Sequence, residues 1–541
     1  MKRSLIYPWM YLALFILTCG PSSAQDRYNI LWITAEDLSP RLGAYGDRVA
    51  RTPNLDRLAA GGVRYERAFA TYGVCAPARH TLITGMYPTS TGAGPMRTWR
   101  RTSALASITD TALLNIPVYE ATPPAGVKCF TEYLRAAGYY CTNNSKTDYQ
   151  FRPPITAWDE SSKTAHWRNR PDRSQPFFAV FNGEHTHESR TFKQVHPRFT
   201  DPADVTVPPY YPDTETVRQD IARHYDNIHA LDTWVGEILD QLEEDGLLDS
   251  TIIFFFGDHG DGLPRAKRWV YDSGTRVPLL IRWPDGAGAG TVNEALVSFV
   301  DFAPTVLSLA ELDAPAYMEG QVFAGGKQAA PRDYVYLFRD RMDPAPETIR
   351  AVRDERYQYV RNYRPELPYL GYIPYRDRAA MMQEILRLKE DGALGPEQWQ
   401  FWATSKSLEE LYDTQTDPDQ IRNIAGDPAH FGKLTELRNA HADFLSTYGD
   451  LGQLPESELI RRLWPPAGAQ SVTASPTIHV DGNRVRMESA TEGASIAYRL
   501  SADENWRLYF EPIDLPGGTE LEARAIRLGW KESEPSHKII K

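Results

Sequence analysis

Two short apolar runs, each followed directly by acidic residues, constrain the fold of this chain more than any other feature. The first covers residues 28–34 and is followed by Glu36-Asp37; the second covers residues 251–256 and is followed by Gly257 and Asp258-His259. Continuous apolar runs of this length are typical of strands that are buried on both faces of a sheet. Open α/β sheets bind their ligands beyond the carboxyl ends of the strands. The pattern therefore predicts a buried sheet with a polar site along one edge.

Helix and strand signals alternate around these two runs. Helical patterns cover residues 54–60, 130–137, 216–244 and 302–310, and strand patterns cover residues 176–182 and 277–284. This alternation predicts an α/β domain over residues 25–330, with a largely parallel sheet flanked by helices. Shorter apolar runs rich in Arg and Tyr predict a smaller α+β subdomain at residues 331–463. Residues 464–476 are predicted to form a linker, and residues 477–541 a small β-sandwich.

Length and charge limit the classes of function. A chain of 541 residues is too long for one hydrophobic core, so several structural units are expected. The formal net charge of -12 argues against general binding to nucleic acid or to an anionic membrane surface. An anionic substrate would therefore need a local basic pocket in an acidic protein.

Residues 1–24 are predicted to be a cleaved signal peptide. Lys2 and Arg3 form its basic start, residues 5–18 its apolar stretch, and residues 22–24 a small-residue cleavage site. The expected location is thus periplasmic or secreted. Cys19 raises a lipoprotein alternative, which is less favoured because Thr18 precedes it, and an uncleaved anchor is disfavoured because about 20 apolar residues are needed for a span. No later segment has a transmembrane pattern.

The mature chain contains three cysteines, an odd number in a compartment that permits disulfides. Cys129 and Cys141 either pair or are simply buried. Cys75 is then left over, in the sequence Cys-Ala-Pro-Ala-Arg at residues 75–79, which continues to Thr84-Gly85. A purely structural alternative is a buried cysteine at a helix start, with Pro77 near the first helical position.

The stretch of residues 75–85 resembles the modification signature of the formylglycine-dependent, type I sulfatases of the alkaline phosphatase superfamily. The resemblance covers most of residues 27–450 and is greatest to bacterial sulfatases similar to heparan N-sulfatase, through residues 205–246, 350–363 and 410–423. It implies an alkaline-phosphatase-like fold. The C-terminal segment resembles the chitobiase C-terminal module, for which a spacer or packing role is favoured over carbohydrate binding.

The resemblance implies that a formylglycine-generating enzyme oxidises Cys75 to formylglycine during export. One hydroxyl of the hydrated aldehyde then attacks sulfur, and the other expels sulfate. The implied metal ligands are Glu36, Asp37, Cys75, Asp258 and His259, with Glu36 standing where the family has Asp. Oxygen ligands favour Ca²⁺ or Mg²⁺, and the resemblance favours one Ca²⁺ per chain.

Four further residues match the cationic and acid-base groups of the family: Arg79, Lys146, His187 and Lys267. Arg79 lies one helical turn after Cys75 and is implied to orient the hydrated aldehyde. Lys146 is implied to bind sulfate, although Asp148 stands where many relatives have His. His187, with His185 as the alternative, is implied to act as general acid near the leaving oxygen.

Lys267, with its neighbour Arg268 as the alternative, matches the second lysine of the family. It is implied to bind sulfate or to protonate the leaving alcohol. Arg268, Arg339, Arg341 and Arg361, together with Tyr363, are candidates for substrate contact.

The sequence thus predicts a sulfatase that acts on an O-sulfate or N-sulfate of a sulfated glycan. The alternatives are a phosphate or phosphonate monoester hydrolase of the same superfamily, and a non-catalytic glycan-binding protein in which Cys75 remains a thiol.

Overall fold

The computed structural model describes residues 27–98, 111–465, 468–501 and 505–541. The predicted signal peptide, Cys19 and two residues of the predicted linker lie outside this part of the chain. None of the helices in the described ranges combines the length and the apolar character that crossing a bilayer requires.

An eight-stranded sheet forms the centre of the molecule, in the order β4-β3-β5-β1-β6-β7-β2-β8. Every neighbouring pair is parallel except those that involve β7, which runs antiparallel to β6 and to β2. The predicted largely parallel sheet is therefore confirmed, with one reversed strand inside it. The strands are β1 (Asn29–Ala35), β2 (Val63–Phe69), β3 (Tyr140–Asn144), β4 (Glu160–Ser161), β5 (Phe177–Gly183), β6 (Thr251–Gly257), β7 (Arg276–Arg282) and β8 (Thr291–Ser298).

Helices cover both faces of this sheet. Successive side chains of β1 point to opposite sides, so they pack against different helices. Trp32 packs with residues of α2, α5 and α8 in one hydrophobic cluster, and Ile33 packs with residues of α1, α6 and α9 in another. The helices are α1 (Pro53–Ala60), α2 (Cys75–Thr84), α3 (Pro88–Thr91), α4 (Thr111–Leu114), α5 (Phe130–Ala136), α6 (Glu215–Glu244), α7 (Asp272–Thr275), α8 (Phe302–Leu309), α9 (Ala380–Glu390), α10 (Pro396–Trp399), α11 (Phe431–Tyr448) and α12 (Glu456–Leu463).

A four-stranded antiparallel sheet follows, in the order β12-β11-β10-β9. Its strands are β9 (Val335–Arg339), β10 (Ile349–Arg353), β11 (Tyr357–Asn362) and β12 (Glu409–Asp413). Leu437 of α11 packs against one face of this sheet with Val352 and Leu411. The backbone N–H of Phe338 donates to the carbonyl of Thr71 at 2.9 Å, which ties β9 to the segment that leads into α2.

The C-terminal segment contains two small antiparallel sheets that share one hydrophobic cluster. Their strands are β13 (Thr477–Asp481), β14 (Arg484–Glu488), β15 (Ser495–Leu500), β16 (Arg507–Tyr509), β17 (Ile513–Asp514), β18 (Glu520–Ile526) and β19 (Ser536–Ile539). The segment packs on the region of α5: Lys128 Nζ lies 3.1 Å from Ser495 Oγ, and Arg135 donates to the carbonyl of Trp506 at 3.1 Å.

The register of the central sheet positions the polar residues. Ala35 pairs with Gly183 on one side and with Gly257 on the other, so β1, β5 and β6 end at the same level. The loops that follow pack closely: a Cβ on Gly260 would lie 2.0 Å from the carbonyl oxygen of Ser273. The segments after the three strands therefore meet at one edge of the sheet, beside the first residue of α2.

Candidate active site

Cys75 is the first residue of α2 and is fully buried. Its Sγ lies 3.2 Å from His259 Nε2 and 3.9 Å from Asp37 Oδ1. Cys129 and Cys141 are both buried and unpaired, so these two cysteines do not form a disulfide. Cys75 thus stands among charged groups from β1 and β6, while the other two thiols lie in the hydrophobic core.

Four residues offer donor atoms that all lie within 4.8 Å of one another: Asp37, Cys75, Asp258 and His259. Burial opposes protonation of His259, but Asp258, Cys75 and Asp37 outweigh it and raise the pKa of its imidazole to about 10. The cluster therefore attracts positive charge. Two carboxylates and one imidazole suit a divalent cation of the hard type, which would take the place of that proton.

Glu36, predicted among the metal ligands, lies outside this cluster of four. Its Oε1 is 2.6 Å from Lys146 Nζ and its Oε2 is 3.8 Å from His187 Nε2. Its carboxylate forms a separate group with Asp37 and His187 and lines the cleft that leads to the site. Glu36 and Asp37 thus serve different neighbours, although they are adjacent in sequence.

Asp37 is held from three directions. Its N–H donates to Asp258 Oδ1 at 3.0 Å, the N–H of Glu188 donates to its Oδ2 at 2.6 Å, and Lys267 Nζ lies 2.8 and 2.6 Å from its two oxygens. Burial favours the neutral acid, but Lys267 and His259 outweigh it and hold the pKa of Asp37 well below its usual value. The carboxylate is therefore ionised and fixed in orientation.

Arg79 fixes the second carboxylate of the cluster. Its Nε and one terminal nitrogen lie 3.1 and 3.0 Å from Asp258 Oδ2, and the other terminal nitrogen donates to Asn182 Oδ1 at 2.6 Å. Asn182, which the sequence reasoning missed, in turn donates to Asn143 Oδ1 at 3.0 Å. The available signal was that Asn182 lies near the end of β5, paired in register with Thr34.

Lys146 and Lys267 both lie close to Cys75. Burial opposes the charge of each lysine, but Cys75 and Glu36 raise the pKa of Lys146, and Asp37 and Cys75 raise that of Lys267. Both therefore remain cationic. The side chain of Lys146 keeps 15% exposure at the cleft, whereas that of Lys267 keeps 3%.

His187 lines the same cleft, and His185 does not lie among its described lining residues. The Nδ1 of His187 is 2.8 Å from Ser189 Oγ. Burial and the charge of Lys267 lower its pKa. The ring of His185 instead lies 5.4 Å from that of Trp234.

Arg268 donates two hydrogen bonds to the carboxylate of Glu188, at 2.9 and 2.8 Å. Glu188, a second residue that the sequence reasoning left without a role, therefore anchors both Arg268 and Asp37. Arg339 is 2% exposed and stacks 4.0 Å over the ring of Trp269.

The remaining candidates for substrate contact lie away from this cluster. Arg341 pairs with Glu456 at 2.7 Å, and Arg361 lies 3.8 Å from Glu409. Tyr363 is hydrogen bonded to His441. None of these three residues lines the described cleft.

The cleft has an empty volume of about 870 Å³ and is lined by charged and polar residues. They are Glu36, Arg97, Ser145, Lys146, Thr147, Asp148, Glu184, His187, Ser189 and Arg190. Arg97 and His187 also line a narrow recess beside it. Asp37, Arg97, Asp148, Arg268 and Asp343 all adopt positive φ, and strained backbone of this kind clusters at functional sites.

Fold and site together define a hydrolase with an alkaline-phosphatase-like fold, in which a buried cysteine lies at a cation-attracting cluster. The family model "Sulfatase" matches residues 28–312, and the model "N-sulphoglucosamine sulphohydrolase, C-terminal" matches residues 260–372. An ulvan-active sulfatase of Formosa agariphila is 43% identical and covers 94% of this chain and 91% of its own. The chain belongs to the sulfatase family and is a sulfuric ester hydrolase.

More distant proteins share the fold. Human N-sulphoglucosamine sulphohydrolase is 25% identical over 78% of this chain and 90% of its own. A solved complex with the substrate D-glucosamine-2-N,6-O-disulfate superposes with a TM-score of 0.54 at 18% identity and covers 80% of this chain and all of its own. A phosphonate monoester hydrolase of Agrobacterium radiobacter superposes with a TM-score of 0.57 at 18% identity and covers 79% and 97%. The predicted fold and family are confirmed.

Proposed function

We propose that this protein releases inorganic sulfate from a sulfated polysaccharide, with formylglycine at residue 75 and one bound Ca²⁺. The observation that carries the proposal is the burial of Cys75 within 4.8 Å of two carboxylates and an imidazole, close to Lys146, which lines the cleft. Formylglycine would supply a hydroxyl nucleophile with a second hydroxyl for sulfate release. The relative that acts on ulvan supports ulvan as the substrate.

Asp37, Asp258 and His259 would hold the cation, with the group at residue 75 as a further ligand. Bound there, Ca²⁺ would supply positive charge to a sulfate oxygen and to the nucleophile. Arg79 keeps Asp258 in place, and Lys267 keeps Asp37 in place. The protein thus orients both carboxylates before substrate enters, which supplies charge stabilisation without reorganisation during the reaction.

Lys146 and His187 would act on the substrate itself. Lys146 is cationic and open to the cleft, so it binds a sulfate oxygen. His187 lies between the cleft and the recess, where its imidazole would donate a proton to the leaving oxygen of the sugar once the charge of the bound sulfate offsets the lowered pKa of the ring. Lys267 is nearly enclosed and already contacts Asp37, so its part in this scheme is to hold that carboxylate and to add charge.

The test is sulfate release, measured by ion chromatography, from ulvan and from defined O-sulfated, N-sulfated and phosphorylated saccharides. Release should disappear in Cys75→Ala, and mass analysis of the wild-type peptide should find formylglycine at residue 75. A protein with verified formylglycine that releases phosphate but no sulfate from this panel would refute the proposal.

The metal is tested on the same preparations. Chelation followed by dialysis should lower the melting temperature, and Ca²⁺ should restore it, because a ligand that binds only the native state stabilises it. A melting temperature that neither the chelator nor Ca²⁺ changes would contradict a bound cation at Asp37, Asp258 and His259.

A further inference from the structure

Arg97 occupies a position between the two cavities that meet at the candidate active site. It lines the cleft that contains Glu36 and Lys146, and it also lines the recess formed with Met96, His187, Glu188, Lys267, Arg268, Asp343 and Tyr375. A group held by Arg97 would therefore lie beside a sulfate held by Lys146.

The guanidinium of Arg97 is largely buried, yet it donates no hydrogen bond to the residues that the structure describes. Its Nε is buried without a partner. No carboxylate oxygen of a described residue lies within 4.0 Å of its guanidinium nitrogens, the distance that defines an ion pair. Burial opposes its charge, but Asp148, Cys75 and Asp343 outweigh it, so its pKa is raised and the group stays cationic. The buried Nε of Arg97 is a donor without a partner, and leaving it unpaired costs free energy unless an incoming acceptor completes it.

The other cations around the recess already have partners. Arg268 makes two hydrogen bonds to Glu188, and Lys267 contacts Asp37. Among the described residues that line the recess, Arg97 is thus the cation without a carboxylate of its own. The recess itself is narrow and leaves no room for a second sugar ring, so only a small group of the substrate could reach into it.

We propose that Arg97 forms a second anion-binding subsite, which takes a carboxylate or a second sulfate on the glycan next to the sulfate that is removed. The inference rests on the proposed sulfatase function and adds its selectivity: the enzyme prefers a sugar chain with a further anionic group. Tyr375 forms another wall of the recess and lies with its ring 6.4 Å from that of His187, so the group enters beside the proposed general acid.

Asp343 sharpens the prediction because it also lines the recess. If Arg97 serves an anion of the substrate, Asp343 competes with that anion, and Asp343→Asn should strengthen binding. If Arg97 instead serves only to balance Asp343 in the folded protein, both Arg97→Ala and Asp343→Asn should lower the melting temperature and reduce activity equally on every substrate.

The experiment compares wild type, Arg97→Ala, Arg97→Lys and Asp343→Asn on four probes. These are 4-nitrophenyl sulfate, a sulfated disaccharide that contains a uronic acid, its carboxyl-reduced counterpart, and a disulfated disaccharide without carboxylate. Arg97→Ala should lower kcat/KM about 100-fold on the probe whose second anion fits, mainly through KM, because truncating one side of a buried charge pair is costly. On 4-nitrophenyl sulfate the change should stay within about threefold.

The two sources of the anion separate in this panel, since a carboxylate subsite responds to carboxyl reduction and a sulfate subsite responds to the second sulfate. Arg97→Lys should recover part of the loss. Arg57→Ala is the matched control, because Arg57 is exposed and its substitution changes the net charge equally. An equal loss on all four probes, or no loss on either doubly anionic probe, would overturn the proposal.

Calorimetric binding of the desulfated uronic-acid disaccharide and of inorganic sulfate needs no turnover. Suppose that wild type releases no sulfate from any probe but binds the disaccharide or sulfate, and that Arg97→Ala loses this binding. That result would refute the proposed function and leave this subsite standing. Conversely, full sulfate release with no dependence on Arg97 would refute the subsite alone.

Discussion

Replacing Arg79 by lysine tests whether the geometry of this side chain, and not only its charge, prepares the site. The guanidinium makes three close contacts, two to Asp258 Oδ2 and one to Asn182 Oδ1. An ammonium keeps the charge but can serve one of these partners well. Only two of these contacts are hydrogen bonds and the ammonium can keep one, so the loss of one charge-assisted hydrogen bond at about 2 kcal/mol corresponds to a loss of roughly 30-fold in kcat/KM.

Arg135→Lys is the matched control for this substitution. Arg135 also places two nitrogens on one carboxylate oxygen, at 3.0 and 2.8 Å from Asp159 Oδ1, and a third on the carbonyl of Thr156. Its side chain is 4% exposed, against 5% for Arg79. The two variants should thus lose similar stability in thermal melts, while only Arg79→Lys loses sulfate release. Equal activity loss in both, or a kcat/KM of Arg79→Lys within threefold of wild type, would refute the reasoning.

Two further predictions concern Lys146 and His80. Lys146→Ala should lower kcat/KM by at least about 100-fold and weaken substrate binding as well, because the ammonium contacts sulfate before and during the reaction. Sulfate release measures this, with Lys163→Ala at an exposed lysine as the control. Near-normal activity of Lys146→Ala would exclude the role. His80 lies between the carbonyl of Tyr149 and the hydroxyl of Thr91, and burial lowers its pKa to about 4. The unfolded state then binds the extra proton, so stability is complete above pH 6.5 and should fall by about 3 kcal/mol as pH drops towards 4. Denaturant unfolding at several pH values measures this, and a His80→Gln variant with the same pH slope would contradict it.

The elements predicted correctly are those with a strong periodic pattern. β1, β6 and α6 each begin and end within one residue of the sequence prediction, because their apolar residues form long uninterrupted patterns. β2 and β8 were not predicted. β2 mixes Arg64, Glu66 and Arg67 with its apolar residues, and β8 is half exposed, so neither has the pattern of a buried strand.

The reversed direction of β7 could not be predicted from the sequence either. Five of its residues, from Val277 to Ile281, are buried. A strand buried on both faces has the same apolar pattern in either direction, so its composition gives no orientation. Its neighbours in the sheet are β6, the preceding strand of the chain, and β2, which is about 200 residues away.

The candidate site could be predicted where residues follow strand ends. Asp37, Asp258 and His259 come directly after β1 and β6, and the register of the sheet brings them together. Glu188 and Arg97 lacked such a signal, because their positions depend on contacts between distant loops. The pair between Glu188 and Arg268, for example, joins residues 80 positions apart.

The charges around Cys75 give a reason to expect a bound cation. Among the described residues, four buried or nearly buried cations have a close carboxylate partner, namely Arg79 with Asp258, Lys267 with Asp37, Arg268 with Glu188, and Lys146 with Glu36, whereas Arg97 has none. These four pairs cancel in formal charge, so on their own they give a sulfate little net attraction. Desolvating a sulfate ester beside ionised carboxylates is costly unless extra positive charge is present. Arg97 supplies part of that charge, and a cation at the cluster of Asp37, Asp258 and His259 would supply more, because the carboxylates there already favour a proton on the imidazole. A divalent cation in that position would add one more positive charge than the proton it replaces, and this excess would make a balanced pocket attract an anion.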